Sequence, residues 1–276
     1  MTLVDLHQRP TLGSYLRDLW GHRDFAYSLA VSKVRLDTSG RYLGLGWLLV
    51  SPLLLSAMYY FIFGVVFRTS RAVDNYVGFL VTGVLVFTFL IRAISAGSKS
   101  LTGNRPLMHT IRFPRMVLPI AFVVTESIGF AVSMVVALAL ALFSGTIDVA
   151  RLPILALSLF LLLLFGIALG SMFALTTQAV LDVKDGLPFM TRLWFYGSGI
   201  LYPSVFVEER APALAGVLLF DINPGYLFPA LIRWALGLGE GNEDPVVLVL
   251  SCLAWGTGML VASVVLFVHR EVSLGT

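Results

Sequence analysis

The chain has 276 residues with a formal net charge of +3, and 58% of them are hydrophobic while only 13% are charged. A soluble domain carries about a quarter charged residues, so this chain lacks the polar surface to dissolve. The composition argues against a soluble fold and for one polytopic membrane domain, because each bilayer helix needs roughly 20 apolar residues.

Residues 1–42 read as a cytoplasmic N-terminal segment. Met1–Arg23 holds Asp5, His7, Gln8, Arg9, Arg17 and Asp18 without a long apolar core, unlike a cleaved signal peptide. Asp24–Leu36 reads as an amphipathic helix with Asp24 as its N-cap and a narrow polar stripe of Asp24, Ser28, Ser32 and Arg35. Such a helix suits the cytoplasmic membrane surface or a seat on the transmembrane bundle, and the sequence leaves both open.

Six spans follow within residues 43–268: Leu43–Phe67, Tyr76–Ala96, Met116–Phe143, Leu152–Val180, Phe189–Val207 and Val246–Val268. Residues 269–276 form a short tail. An even count puts both termini on one side. Arginine and lysine concentrate in the N-terminal segment, in the loop after span two and around Lys184 after span four, which makes that side cytoplasmic. Arg192 counts there as a charge at the edge of the loop after span four. Between spans five and six, Ala211–Phe220 and Tyr226–Leu238 are too short to cross and read as two external re-entrant or interfacial helices. The expected fold is therefore an all-α integral membrane bundle.

Little in the chain suggests chemistry of its own. A phosphate-binding glycine-lysine loop and a dinucleotide fingerprint are absent from the sequence. His7, His22, His109 and His269 lack metal-ligand spacing, so no metal site is expected. Cys252, the single cysteine, sits in an apolar run as a small packing residue. Energy for transport must then come from a partner or an ion. Arg92 and Glu126 are the candidate intramembrane charges, and they suit either a structural pair or a gating role.

Aromatic residues are the more distinctive pattern. Tyr60, Phe63 and Phe67 form a stripe in span one with Tyr59 beside it, and Phe195, Tyr202 and Phe206 share a face in span five, flanked by Trp194 and Tyr196. Such rings fit an interfacial belt, plain packing, or a surface along which sugars slide. Gly97–Arg115 is basic and helix-compatible, bounded by Pro106 and Pro114, and reads as a solvated loop or a docking helix.

Several segments occur in a familiar order and spacing. They are Arg23-Asp24-Phe25, Tyr42-Leu43-Gly44-Leu45-Gly46-Trp47-Leu48 with Ser51-Pro52-Leu53-Leu54, and Arg112-Phe113-Pro114-Arg115 with Leu118-Pro119. Then come Asp182-Val183-Lys184-Asp185, Trp194-Phe195-Tyr196 through Leu201-Tyr202-Pro203, and Asn223-Pro224 with Arg233-Trp234-Ala235-Leu236. From about Leu16 onward the chain resembles permease subunits of type-2 ABC exporters of lipid-linked polysaccharide, such as O-antigen, teichoic acid or galactan. The charged Asp182–Asp185 loop is shorter than the family's usual one.

The resemblance implies a non-enzymatic homodimer in a bacterial inner or plasma membrane, paired with two copies of an ATP-binding subunit that carries ATP and Mg2+. This chain would hold no cofactor and bind no nucleic acid. It implies a conduit lined by Tyr59, Tyr60, Phe63, Phe195, Tyr202 and Phe206. It also implies coupling to the ATPase through Asp24, Arg35, Arg105, Arg112 and Arg115. The same fold serves permeases for drugs or lipids. An ion-coupled carrier would show repeated charged or broken helices at mid-membrane, of which only Glu126 is a candidate.

Overall fold

The structure, a computed structural model, describes residues 11–38, 44, 46–67, 73–111, 113–204, 216–241 and 243–274. The regular elements among these residues are all helical. In chain order they are α1 (Leu12–Gly21), α2 (Arg23–Thr38), α3 (Gly46–Tyr59), α4 (Tyr76–Ser100), α5 (Arg105–Thr110), α6 (Val117–Phe143), α7 (Leu152–Ala179), α8 (Val183–Tyr196), α9 (Pro224–Leu236) and α10 (Pro245–Leu274). Five stretches are long and apolar enough to cross a membrane: Gly46–Val66, Tyr76–Met108, Val117–Phe143, Val149–Ala179 and Pro245–Arg270. They match expected spans one to four and six.

The fifth expected span differs. Its helix starts six residues early, at Val183, and stops at Tyr196 rather than running from Phe189 to Val207. Gly199 adopts a left-handed φ of +55°, and a side chain there would strike the Phe220 ring. The Ser198 hydroxyl donates back to the Trp194 carbonyl at 2.7 Å. The chain therefore turns through residues 197–204. Ile200 and Leu201 are apolar because the bundle buries them, not because the helix continues. Apolar runs alone do not separate these cases.

Helices α4 and α7 form the centre. They cross where Gly97 meets Gly170, and a methyl group on Gly97 would collide with the Gly170 carbonyl. Close backbone approach at small residues is the usual way helices pack without a hydrophobic drive in lipid. Helix α3 continues as a π-helix over Tyr60–Val66, with Gly64 buried against the Tyr60 and Tyr76 rings.

Helix α1 was not expected from the sequence. Thr11 caps it by accepting from the Ser14 amide, and Tyr15 is buried in a cluster with Leu101, Met116 and Phe267. Asp24 is not an N-cap; it lies in the first turn of α2, where its charge still favours the helix dipole. Helix α2 rests on α6: the Thr125 hydroxyl donates to the Ala30 carbonyl at 3.4 Å, and Lys33 Nζ lies 4.5 Å from the Phe122 ring centroid. Its Asp24, Ser28, Ser32 and Arg35 stripe stays exposed.

Between α8 and α10, the expected Tyr226–Leu238 piece is α9, Pro224–Leu236. Of Ala211–Phe220 only residues 216–220 are described, within a short turn of π-helix over Val217–Asp221. Asn223 fixes the start of α9. Its Oδ1 accepts from the Trp194 indole at 2.8 Å and from the Gly225 amide at 2.9 Å, while its Nδ2 donates to the Gly197 carbonyl at 3.1 Å. The other end stops at Gly237 in the left-handed region, φ +69°, where the Thr146 hydroxyl donates to the Leu236 carbonyl at 3.0 Å.

Candidate functional site

The aromatic residues of the first span and of α8 meet in one wall. The Tyr59 ring stacks on Phe195 at 5.4 Å with an interplanar angle of 28°, and Phe63 lies 6.5 Å from Tyr59. Phe195 packs edge-on to Phe87 at 5.2 Å and to Tyr196 at 5.5 Å, and Trp194 meets Phe87 at 4.8 Å. Each such pair adds about 0.5–1.5 kcal/mol beyond its burial. Tyr60 faces Tyr76 at 6.2 Å, and the Tyr76 hydroxyl donates to the Leu201 carbonyl at 2.7 Å.

The expected residues divide by exposure. Tyr60 is 37% exposed and outward, whereas Phe195 is 6% exposed and backs the wall from inside. Tyr202 does not share a helical face with Phe195, because α8 has ended. It reaches the wall from the following turn, its hydroxyl donating to the Tyr196 carbonyl at 2.7 Å. Phe206 lies outside the described residues.

Helix α8 presents an outward stripe of Asp185, Phe189, Arg192 and Tyr196 at i, i+4, i+7 and i+11, all exposed. The sequence reading treated Arg192 as a loop-edge charge. The structure seats it within the helix, near enough to Tyr59 to act on it electrostatically. The spacing of Arg192 from Tyr196, one turn apart, was the available signal.

Arg92 and Glu126 line the same small pocket between α3, α4 and α6, together with Pro52, Thr88, Phe130 and Ser133. Arg105 joins Lys99, Lys184 and Asp185 around a cleft of about 760 Å³ between the α4–α5 turn and the α7–α8 loop. The start of α2 adjoins the segment before α6, with Phe25 and Phe113 ring centroids 5.4 Å apart. Asp24 and Arg35 are exposed, and Arg115 is half-buried in the turn before α6. Arg112 lies outside the described residues.

Two charged residues, Arg233 and Glu240, tie the wall to α9. Arg233 is fully buried; its Nε donates to the Phe79 carbonyl at 2.9 Å and a terminal nitrogen donates to the Ile200 carbonyl at 3.1 Å. Glu240 accepts from the Ser204 amide at 2.8 Å and the Ser204 hydroxyl at 2.7 Å. Burial pushes the Glu240 carboxyl above its ordinary value, while the two Ser204 bonds and the Arg233 charge pull it back. An arginine inside the apolar run Tyr226–Leu238 was the signal for the first of these.

No family model matches the chain. It is similar to the O-antigen export system permease protein RfbA of Myxococcus xanthus, 27% identical over 212 residues that cover 76% of this chain and 78% of the relative. Two proteins of the same name from Klebsiella pneumoniae are 26% and 27% identical over 194 residues, covering 67% of this chain and 73% of each relative. These relatives bear out the resemblance drawn from the sequence motifs. The chain is a multi-pass membrane protein similar to O-antigen export system permeases.

Proposed function

We propose that this chain is the permease subunit of an ATP-driven exporter that moves a lipid-linked cell-envelope polysaccharide, a galactan among the candidates, out across the bacterial inner or plasma membrane. The observation that carries the reading is the similarity to O-antigen export permeases over three quarters of the chain. The aromatic wall built by Tyr59, Tyr60 and Tyr196 supports it. A polymer conduit needs many weak contacts rather than one tight site, and ring faces with hydroxyls supply them.

In this reading two copies face each other across the path and each carries an ATP-binding subunit below it. Helix α8 and the segment after it serve as the fifth crossing, and α9 is a re-entrant helix entered from outside, which leaves both termini cytoplasmic. The cleft at Arg105, the α5 helix and the exposed stripe of α2 receive the partner. Closure of the ATP-binding pair displaces those elements, and rigid-body motion opens the path between the copies. Arg92 and Glu126 hold α3, α4 and α6 together during that motion.

The test is depletion of the protein in its host, followed by identification of lipid-linked glycans by mass spectrometry. A single lipid-linked glycan should build up on the cytoplasmic side. If no glycan accumulates, the exporter reading fails.

A further inference from the structure

We propose that Arg192 forms an anion site on the outward face of α8 and receives the phosphate-bearing junction of the lipid-linked glycan. The proposal rests on the exporter reading and adds to it the ligand chemistry and the residue that recognises it.

Depth is the first argument. Phe87 is the twelfth residue of the spanning helix α4, about 16 Å from its outer start and so near mid-bilayer. Trp194 and Phe195 touch Phe87 with ring centroids 4.8 and 5.2 Å away. Arg192 lies about one turn closer to the cytoplasm than Phe195, and about 13 Å beyond the first residue of α8. A permanently charged guanidinium at that depth is costly if it faces lipid, so such residues face cavities or partners.

Surroundings are the second. Arg192 is exposed, and among the described residues no carboxylate lies within ion-pairing distance of it. Asp185, the acid on the same helix face, is two turns away, about 10 Å. Arg233 makes the contrast: its guanidinium is sealed between backbone carbonyls and the Phe79 ring, as a structural pin. Arg192 instead stands open one turn from the exposed Tyr196, within electrostatic reach of Tyr59.

Ligand chemistry follows. The site offers a cation able to take two phosphate oxygens at once. The exposed apolar side chains Phe189 and Leu193 flank it, and tyrosine rings lie one turn further along α8. An apolar chain, a phosphate or diphosphate ester, and a sugar joined in that order meet complementary surface in the same order. A free anion would use only the cation, and a neutral lipid only the apolar flank.

The test uses the permease with its ATPase subunit in phosphatidylcholine nanodiscs, titrated with farnesyl diphosphate, with farnesol, and with phosphatidylglycerol as competitor. Arg192→Gln should weaken farnesyl diphosphate binding by about tenfold or more, the scale of a lost charge-assisted contact. Arg192→Lys should retain part of the affinity. Farnesol binding should not change in either variant, and phosphatidylglycerol should not displace the diphosphate. Unchanged diphosphate binding by Arg192→Gln overturns the proposal. So does displacement by phosphatidylglycerol, which would mark a site for bulk lipid phosphate. Dissociation of the dimer in Arg192→Gln also overturns it, assigning the residue to an acid of the second copy. Host export separates the two readings. A wild-type chain that exports no glycan defeats the exporter reading, whereas equal export by wild type and Arg192→Gln defeats only this one.

Discussion

The guanidinium carbon of Arg233 lies 3.5 Å from the centroid of the Phe79 ring, and its Nε donates to the carbonyl of that same residue at 2.9 Å. A second donation to Ile200 at 3.1 Å makes one side chain the junction of α9, α4 and the turn after α8. Replacing Arg233 with Ala removes both donations and empties a fully buried site, and should destabilise the bundle by about 2–4 kcal/mol. Lysine should recover little, because one ammonium cannot stack flat and reach both carbonyls. Thermal unfolding of the purified protein in detergent measures this; wild-type stability in Arg233→Ala would contradict it.

Gly83 makes room for that guanidinium. A methyl group there would collide with a terminal nitrogen of Arg233, whereas a methyl on Gly103 meets nothing within 4 Å. Gly83→Ala should therefore cost about 1–3 kcal/mol as an overpacked site, and Gly103→Ala should be near neutral. Equal unfolding temperatures for the two variants would remove Arg233 from its assigned position.

Glu240 supplies a pH signature outside the spans. Its carboxyl is raised above the ordinary 4.5 chiefly by burial. The folded chain thus holds that proton more tightly than the unfolded chain does, so stability falls as pH rises from 4.5 through the folded value. As pH rises above 4.5 the wild type should lose stability relative to Glu240→Gln. The opposite slope would show that the Ser204 bonds outweigh burial.

The wall residues should separate by role. Phe195→Ala empties a buried aromatic site and should destabilise by about 3–5 kcal/mol. Tyr60→Ala combined with Tyr202→Ala should slow glycan export several-fold while the permease still co-purifies with its ATPase subunit. Unchanged export in that pair returns the rings to packing.

Five crossings were legible because each is a long apolar run closed by charges or glycines, as at Tyr76–Ser100 and Val117–Phe143. Span five was not, since Ile200 and Leu201 are apolar for burial in a turn rather than in a helix. The stripes holding Tyr59 and Phe195 were legible separately, but helical spacing did not bring them together, and Tyr202 joins them through a turn that such spacing does not describe. Arg233 and Arg192 look alike as letters. One is sealed under α4 and the other stands open on α8, a distinction only tertiary packing creates.

The most direct measurement is transport itself. Inside-out membrane vesicles carrying the permease and its ATPase subunit are loaded on the outer face with the lipid-linked glycan, given ATP, and then treated with a glycosidase that cannot enter. Export requires ATP-dependent protection of the glycan, lost when ATP is replaced by a non-hydrolysable analogue. Glycan that stays fully digestible with ATP present would contradict the account.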